Sequence, residues 1–310
     1  MPAADRMTHP TCAWANVPNE LAHYIGTVAA VALACVYGVP LHALASFAVL
    51  ASLCALGTTM GFHRYFAHRA FATSRPVEWV LMVLGVMAGQ SAPFYWIATH
   101  RLHHRHSDHE GDPHSPHLAT GRWRWLRGFW HAHFSWFHER RYAYPASAVR
   151  DLARRPDLAW IDRNWLPIFV LGLLIPAGVG YLVGGTAYDA LMGFLVGGLV
   201  RQFVSLQITF CINSVAHLWG SRAFETPDRS RNSFLLAVLA LGEGWHNNHH
   251  AHPYSARHGF LWWQPDSTWT IIWLLERVGV VWKVKRPKLT TTSAAPEPDP
   301  EPVAAEGVSG

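Results

Sequence analysis

Three runs of histidine carry the spacing of a metal site: His63-Arg-Tyr-Phe-Ala-His68, His100-Arg-Leu-His103-His104 and His246-Asn-Asn-His249-His250. A further element, Asn213-Ser-Val-Ala-His217, sets an amide and an imidazole four residues apart. Imidazole is the commonest side-chain metal ligand near neutral pH. On a helix, residues i, i+3 and i+4 share a face. His100, His103 and His104 therefore point one way, as do His246, His249 and His250, and Asn213 and His217 share a face too. His63 and His68 are five apart, which opens their angle to about 140° at roughly 100° per residue, so they converge only where the helix ends or bends. The chain holds 21 histidines, and they cluster beside apolar segments rather than at an end as a tag would. Nine converging imidazoles exceed what one ion takes, so two ions are expected. Thiolates do not join them: Cys12, Cys35, Cys54 and Cys211 form no Cys-x-x-Cys pair and read as small residues of apolar surroundings. Structural zinc and iron–sulfur clusters are thereby disfavoured. Imidazole suits zinc, copper, iron and nickel alike, so ligand type alone does not choose the ion.

The elements that must position these residues are membrane helices. Half of the 310 residues are hydrophobic and only 15% are charged, well under the roughly 25% usual in soluble domains. Sixteen tryptophans suit a chain that sits at the headgroup layer. A bilayer core takes ~20 apolar residues per helix. The apolar runs predict four spans, about 24–39, 41–62, 165–184 and 187–212, joined in pairs by short turns at Pro40 and at Gly184-Gly185. Residues 1–23 form an N-terminal segment with no signal-peptide pattern, residues 24–286 the membrane domain, and 287–310 a disordered tail rich in Pro, Ala and Glu. The stretch 76–98 carries Pro76, Glu78, Gln90 and Pro93 and reads as an interfacial helix rather than a fifth span. Residues 234–242 are too short to cross, and 268–282, with Trp269, Trp273 and Trp282, reads as another interfacial helix.

Region 63–164 holds fourteen Arg and no Lys, and the part after 213 holds nine Lys plus Arg, while the two turns hold none. Cytoplasmic loops collect Lys and Arg. Both termini, the large middle loop and all the histidine runs are then expected on the cytoplasmic side. The fold class is an all-α, multi-pass membrane protein whose four spans carry a histidine-rich helical cap. Arg201 lies inside the fourth span, where a charge usually faces protein or water. The net charge of +5 is spread around membrane segments and does not suggest nucleic acid.

With its three histidine runs in order, Asn-Ser-Val-Ala-His at 213–217, Asp-Pro-His at 112–114 and Gly-Glu-Gly-Trp-His at 242–246, the chain resembles the membrane fatty-acid desaturases over about residues 40–265. The likeness is greatest to the acyl-CoA Δ9 (stearoyl-CoA) type and its bacterial relatives. The resemblance implies two Fe2+ ions and oxygen as co-substrate. It implies His63, His68, His100, His104 and His249 around one iron, and His103, His217, His246 and His250 around the other, with Asn213 reaching the second through water. It implies a bent acyl tunnel with its kink at Gln90, Trp96, Thr209 and Phe210, the last a position where family members commonly carry Trp. It also implies a chain-length stop on the second span, close to Ala51. An Arg-Asp pair that contacts the coenzyme A headgroup in animal members is replaced here by Ala98 and Thr99.

The activity so implied is insertion of a cis double bond, at Δ9, into a long-chain saturated acyl-CoA, with an acyl-lipid substrate or a related diiron hydroxylase as the alternative. Removing hydrogen from an unactivated methylene lies beyond any side-chain acid or base at neutral pH, so the cofactor carries that chemistry. Ligand imidazoles need acceptors behind them, and Asp108, Asp112, Asp228 and Glu243 are candidates. The extra histidines His106, His109, His114 and His117 read as supporting or loop residues. With no Rossmann fingerprint, electrons are expected from a separate ferredoxin- or cytochrome-type donor, served by an NAD(P)H-dependent reductase and docking on the Arg-rich face. A metal transporter would place its ligands at mid-membrane, and these runs lie at the helix ends.

Overall fold

The computed structural model describes residues 6–8, 12–138 and 143–288. Two helical hairpins form its body. In the first, α1 (Cys12–Tyr37) turns at Gly38, whose φ of +78° suits glycine, into α2 (Leu41–Ala67). In the second, α6 (Trp165–Gly184) turns at Gly185 into α7 (Ala187–Leu218). Thr186 starts α7 with a capping box in which its hydroxyl accepts from the Asp189 N–H while the Asp189 carboxylate accepts from the Thr186 backbone. Tyr188 donates to the Gly38 carbonyl at 2.7 Å, which ties the two turns together. Helices α6 and α7 pack at backbone distance: a Cβ on Gly193 would lie 2.1 Å from the Pro176 carbonyl oxygen, the close approach that small residues allow between apolar helices.

Three of these helices, α2, α6 and α7, are long and apolar enough to cross a membrane; the apolar part of α1, Leu21–Tyr37, is shorter. The first helix begins at Cys12, twelve residues ahead of the expected 24. Most of the tail expected at 287–310 lies outside the described residues. The 76–98 stretch is two helices rather than one. α3 (Arg75–Met87) and α4 (Pro93–His106) are separated by a turn in which Gly89 and Ser91 both have positive φ, +75° and +77°. Thirteen residues rise only ~20 Å, short of a bilayer core of ~30 Å. Pro93 sits at the first position of α4, where its missing N–H is harmless.

Past α7 the chain forms α8 (Phe234–Leu239), α9 (His246–Ala251) and α10 (Ser267–Arg277). The helix expected over 268–282 ends at Arg277, and Val281–Trp282 instead pairs antiparallel with Ala72–Thr73. A second short pair joins Arg6–Thr8 to Ala143–Pro145. These are minor additions to an all-α fold. Phe62, Met82, Trp165, Phe169 and Leu173 belong to one core that unites both hairpins with α3.

Candidate metal centre

The last eleven residues of α2, Gly57–Ala67, are π-helical. A π-turn closes on i→i+5, and the His68 N–H donates to the His63 carbonyl at 3.1 Å. Residues five apart thus meet on one face: the His63 and His68 rings lie 4.9 Å apart. The bend that this pair requires is a widening of the helix.

The structure gathers the histidines into two groups, each with its ring nitrogens within 4.8 Å of one another. The first is His63, His68, His100, His104 and His249; the second is His103, His217, His246 and His250. Four carboxylates stand behind them. His63 Nδ1 lies 2.6 Å from Glu243, His103 Nδ1 3.0 Å from Asp112, His217 Nδ1 2.9 Å from Asp108 and His250 Nδ1 2.8 Å from Asp228. A carboxylate only accepts, so each Nδ1 carries the proton and each Nε2 presents a lone pair inward. Ring nitrogens of each group face one another: His63 and His249 Nε2 at 3.0 Å, His249 and His104 Nε2 at 2.9 Å, His217 and His246 Nε2 at 2.9 Å. Nε2 of His103 and of His250 is buried with no hydrogen-bond partner. Two convergent sets of imidazole nitrogens, with buried Nε2 atoms that no protein group satisfies, are a donor set that fits two metal ions.

Electrostatics agree. Burial, and then the neighbouring imidazoles, hold His68, His100, His104, His246 and His249 well below the usual imidazole range, so they are neutral at neutral pH. Burial alone would raise the Asp112 carboxyl, but the attraction and hydrogen bond of the facing His103 N–H outweigh it and hold Asp112 below the usual carboxylate range. His217 does the same for Asp108, and His250 for Asp228.

Two residues besides the nine histidines complete the shell. Arg64, fully buried, forks onto Glu243 at 3.0 Å and Asp266 at 2.9 Å and donates to the Ala256 carbonyl at 2.7 Å. His258, also buried, lies 3.3 Å from Glu243 and 4.4 Å, ring to ring, from His249. His258 has no spacing partner in sequence, and Arg64 looks like any basic residue at a helix end. Of the extra histidines, His114 stacks on His103 at 4.3 Å and His117 Nε2 donates to the His217 carbonyl at 2.9 Å. His106 and His109 belong to neither group.

Two cavities meet at the histidines. The larger, about 220 Å³, runs along α2 from Ala51 past Ala55 and Thr59 to His63. The smaller, about 30 Å³, is walled by Trp136, Phe137 and Phe210. Gln90, Trp96, His100, Thr209 and Asn213 line both. At that junction Gln90 Nε2 donates to Thr209 Oγ1 at 2.8 Å, and Trp96 stacks on His100 at 5.1 Å. Ala51 thus lines only the larger cavity and Phe210 only the smaller.

A family model described as "Fatty acid desaturase" matches residues 23–282. The chain is 41% identical over 266 residues to "Hex-5-enoyl-[acyl-carrier protein] acetylenase" of Moorena producens (strain JHB), covering 85% of this chain and 83% of that one. It is 38% identical to "Acyl-CoA C20 Delta5-desaturase" of Anemone leveillei, over 78% of this chain and 73% of the relative. It is also 38% identical to "sn-1 stearoyl-lipid 9-desaturase" of Anabaena variabilis, over 74% and 79%. With its paired histidine groups and a match over most of its length, the chain belongs to the fatty acid desaturase family.

Proposed function

We propose that this desaturase places a cis double bond, at Δ9, in a long-chain saturated acyl group, using oxygen and two electrons from a separate donor. The observation that carries this reading is that both histidine groups open onto the larger, mostly apolar cavity, one through His63 and His100 and the other through His103 and His246. His63, His68, His100, His104 and His249 would hold one iron, and His103, His217, His246 and His250 the other, with Asn213 close to the second. The bound irons supply the oxygen-activating chemistry that side chains lack. The protein's own part is placement. The carboxylates fix each imidazole by its Nδ1 proton, and the Gln90–Thr209 bond crosses the junction. The apolar walls keep water from the reacting carbons. Overall, the acyl chain loses two hydrogens, and oxygen takes these with two electrons and two protons to leave as two waters.

Coenzyme A is the carrier implied by the resemblance. A lipid ester is the second reading, supported by Ala98 and Thr99, which are buried rather than charged, and by the stearoyl-lipid relative. Expression in cells lacking unsaturated fatty acids tests the activity. The expected product is two hydrogens lighter than its substrate; a product one oxygen heavier would instead mean a hydroxylase. Mapping the double bond checks Δ9, and supplying the same acyl group as a thioester or as a glycerolipid separates the carriers.

A further inference from the structure

Arg201 lies fully buried within α7, two turns before Thr209 and away from both histidine groups. Its partners are three backbone carbonyls and a sulfur. Nε donates to Gly197 O at 2.8 Å, Nη1 to Met87 O at 3.1 Å and to Cys54 Sγ at 3.2 Å, and Nη2 to Gly172 O at 3.4 Å. Two of these carbonyls are short of a helical partner. Met87 is the last residue of α3, and terminal carbonyls are left over at every helix end and carry its negative partial charge. Gly172 precedes Pro176 by four residues in α6, and proline has no N–H to return to it. The guanidinium fork thus fills two vacancies that the helices themselves create, on two different elements. A lysine, with a single compact ammonium, cannot span both.

Met87 is also where the turn to Gln90 begins. That turn has two left-handed residues, Gly89 and Ser91, a conformation that persists for serine only where the surroundings enforce it. It presses directly on α7: a Cβ on Gly89 would lie 2.9 Å from Gln202 Nε2. Its far point, Gln90, donates to Thr209 at the cavity junction. α7 therefore holds the turn twice, through Arg201 at its start and Thr209 at its apex.

We infer that Arg201 is a positioning residue for the reaction: by anchoring the Met87 carbonyl it sets where Gln90 crosses the acyl cavity, and so which methylenes face the histidine groups. This rests on the desaturase reading above. The test is Arg201→Lys, with Arg201→Met beside it, in the full-length protein in membranes. Bound metal and detergent melting are measured first, then the positional isomers formed from one saturated substrate. Arg201→Lys is expected to keep its metal, to turn over roughly tenfold to a hundredfold more slowly, as small misplacements cause, and to spread the double bond to a neighbouring carbon. A folded, metal-loaded Arg201→Lys protein that makes the native isomer alone, at any rate, overturns the inference. If neither Arg201 variant inserts, Ser91→Gly loosens the same turn with Arg201 intact. It should show the spread, and a single native isomer from it overturns the inference equally. Native protein that makes no unsaturated product would sink the desaturase reading itself.

Discussion

His103 and His250 each sit with Nδ1 on a carboxylate and Nε2 buried and unpartnered, so each has one free lone pair and nowhere else to direct it. His103→Ala or His250→Ala should reduce product to background while the protein still inserts. His109→Ala should stay within about twofold of native, because His109 Nδ1 only donates to the Ser107 carbonyl; product yields from matched membranes decide it. Equal losses for all three would mean the groups are wrongly drawn. One step further out, Asp112→Asn keeps the shape but not the charge behind His103, and metal affinity should fall about 10- to 100-fold, read by metal analysis after graded chelation. The triplets at 100–104 and 246–250 were legible in sequence because i, i+3, i+4 spacing is a property of the α-helix itself. The supporting acids were legible as types but not as pairs, since Asp108 and His217 are 109 residues apart. His258 was not legible: it reaches Glu243 only through a loop that Asp266 folds back by accepting the His258 N–H at 2.7 Å.

The elements differ in how far sequence foretells them. Nothing in residues 57–67 announces a π-helix, because the widening is set by what packs on it: a Cβ on Gly57 would meet the α3 backbone at 2.2 Å. The break between α3 and α4 had its proline in plain view, but its two left-handed residues depend on contacts from α7. Ala51 is twelve residues before His63, about 18 Å along the helix, and lines the same cavity. Leu53 is turned outward, at 39% exposed, and does not line it. Ala51→Tyr should therefore shorten the preferred acyl chain while the double bond stays at the same carbon counted from the carboxyl end; an unchanged chain-length profile would refute this placement. Another element, α5 (Pro156–Arg163), braces α4 through Asp162, whose carboxylate accepts the Phe94 N–H at 2.8 Å. Burial pushes the Asp162 carboxyl up to about 7. A carboxyl raised in the folded state binds its proton more tightly there than when unfolded. Its contribution to stability is then full below the unfolded value and lost as pH rises through about 7, a few kcal/mol at most. Detergent melting of native protein should fall between pH 5.5 and 8.5 relative to Asp162→Asn, and parallel curves would refute the coupling.

At the scale of the molecule, the two hairpins were readable from apolar length and from the Pro and Gly turns, whereas the true start of α1 at Cys12 was hidden by the polar residues of its first turns. The distribution of arginine sets an expected orientation: the turn at residue 40 on one side, and the C-terminus with the histidine groups on the cytoplasmic side. Reporter fusions at residue 40 and at the C-terminus should report opposite sides. The same side would require an even number of crossings between them, where α2, α6 and α7 would give three.

The histidine groups also have a history in time. His63 and His249 face each other at 3.0 Å but are 186 residues apart in the chain. At ~5–20 residues per second, synthesis separates them by roughly 10–40 s. During that interval Arg64 is without Glu243 and Asp266, and once residue 104 has been made, four of the five histidines of the first group exist before the fifth, His249. Because imidazole suits several divalent ions, ligand type does not choose the occupant by itself, and the supply of ions while the chain is being completed is expected to contribute to the choice.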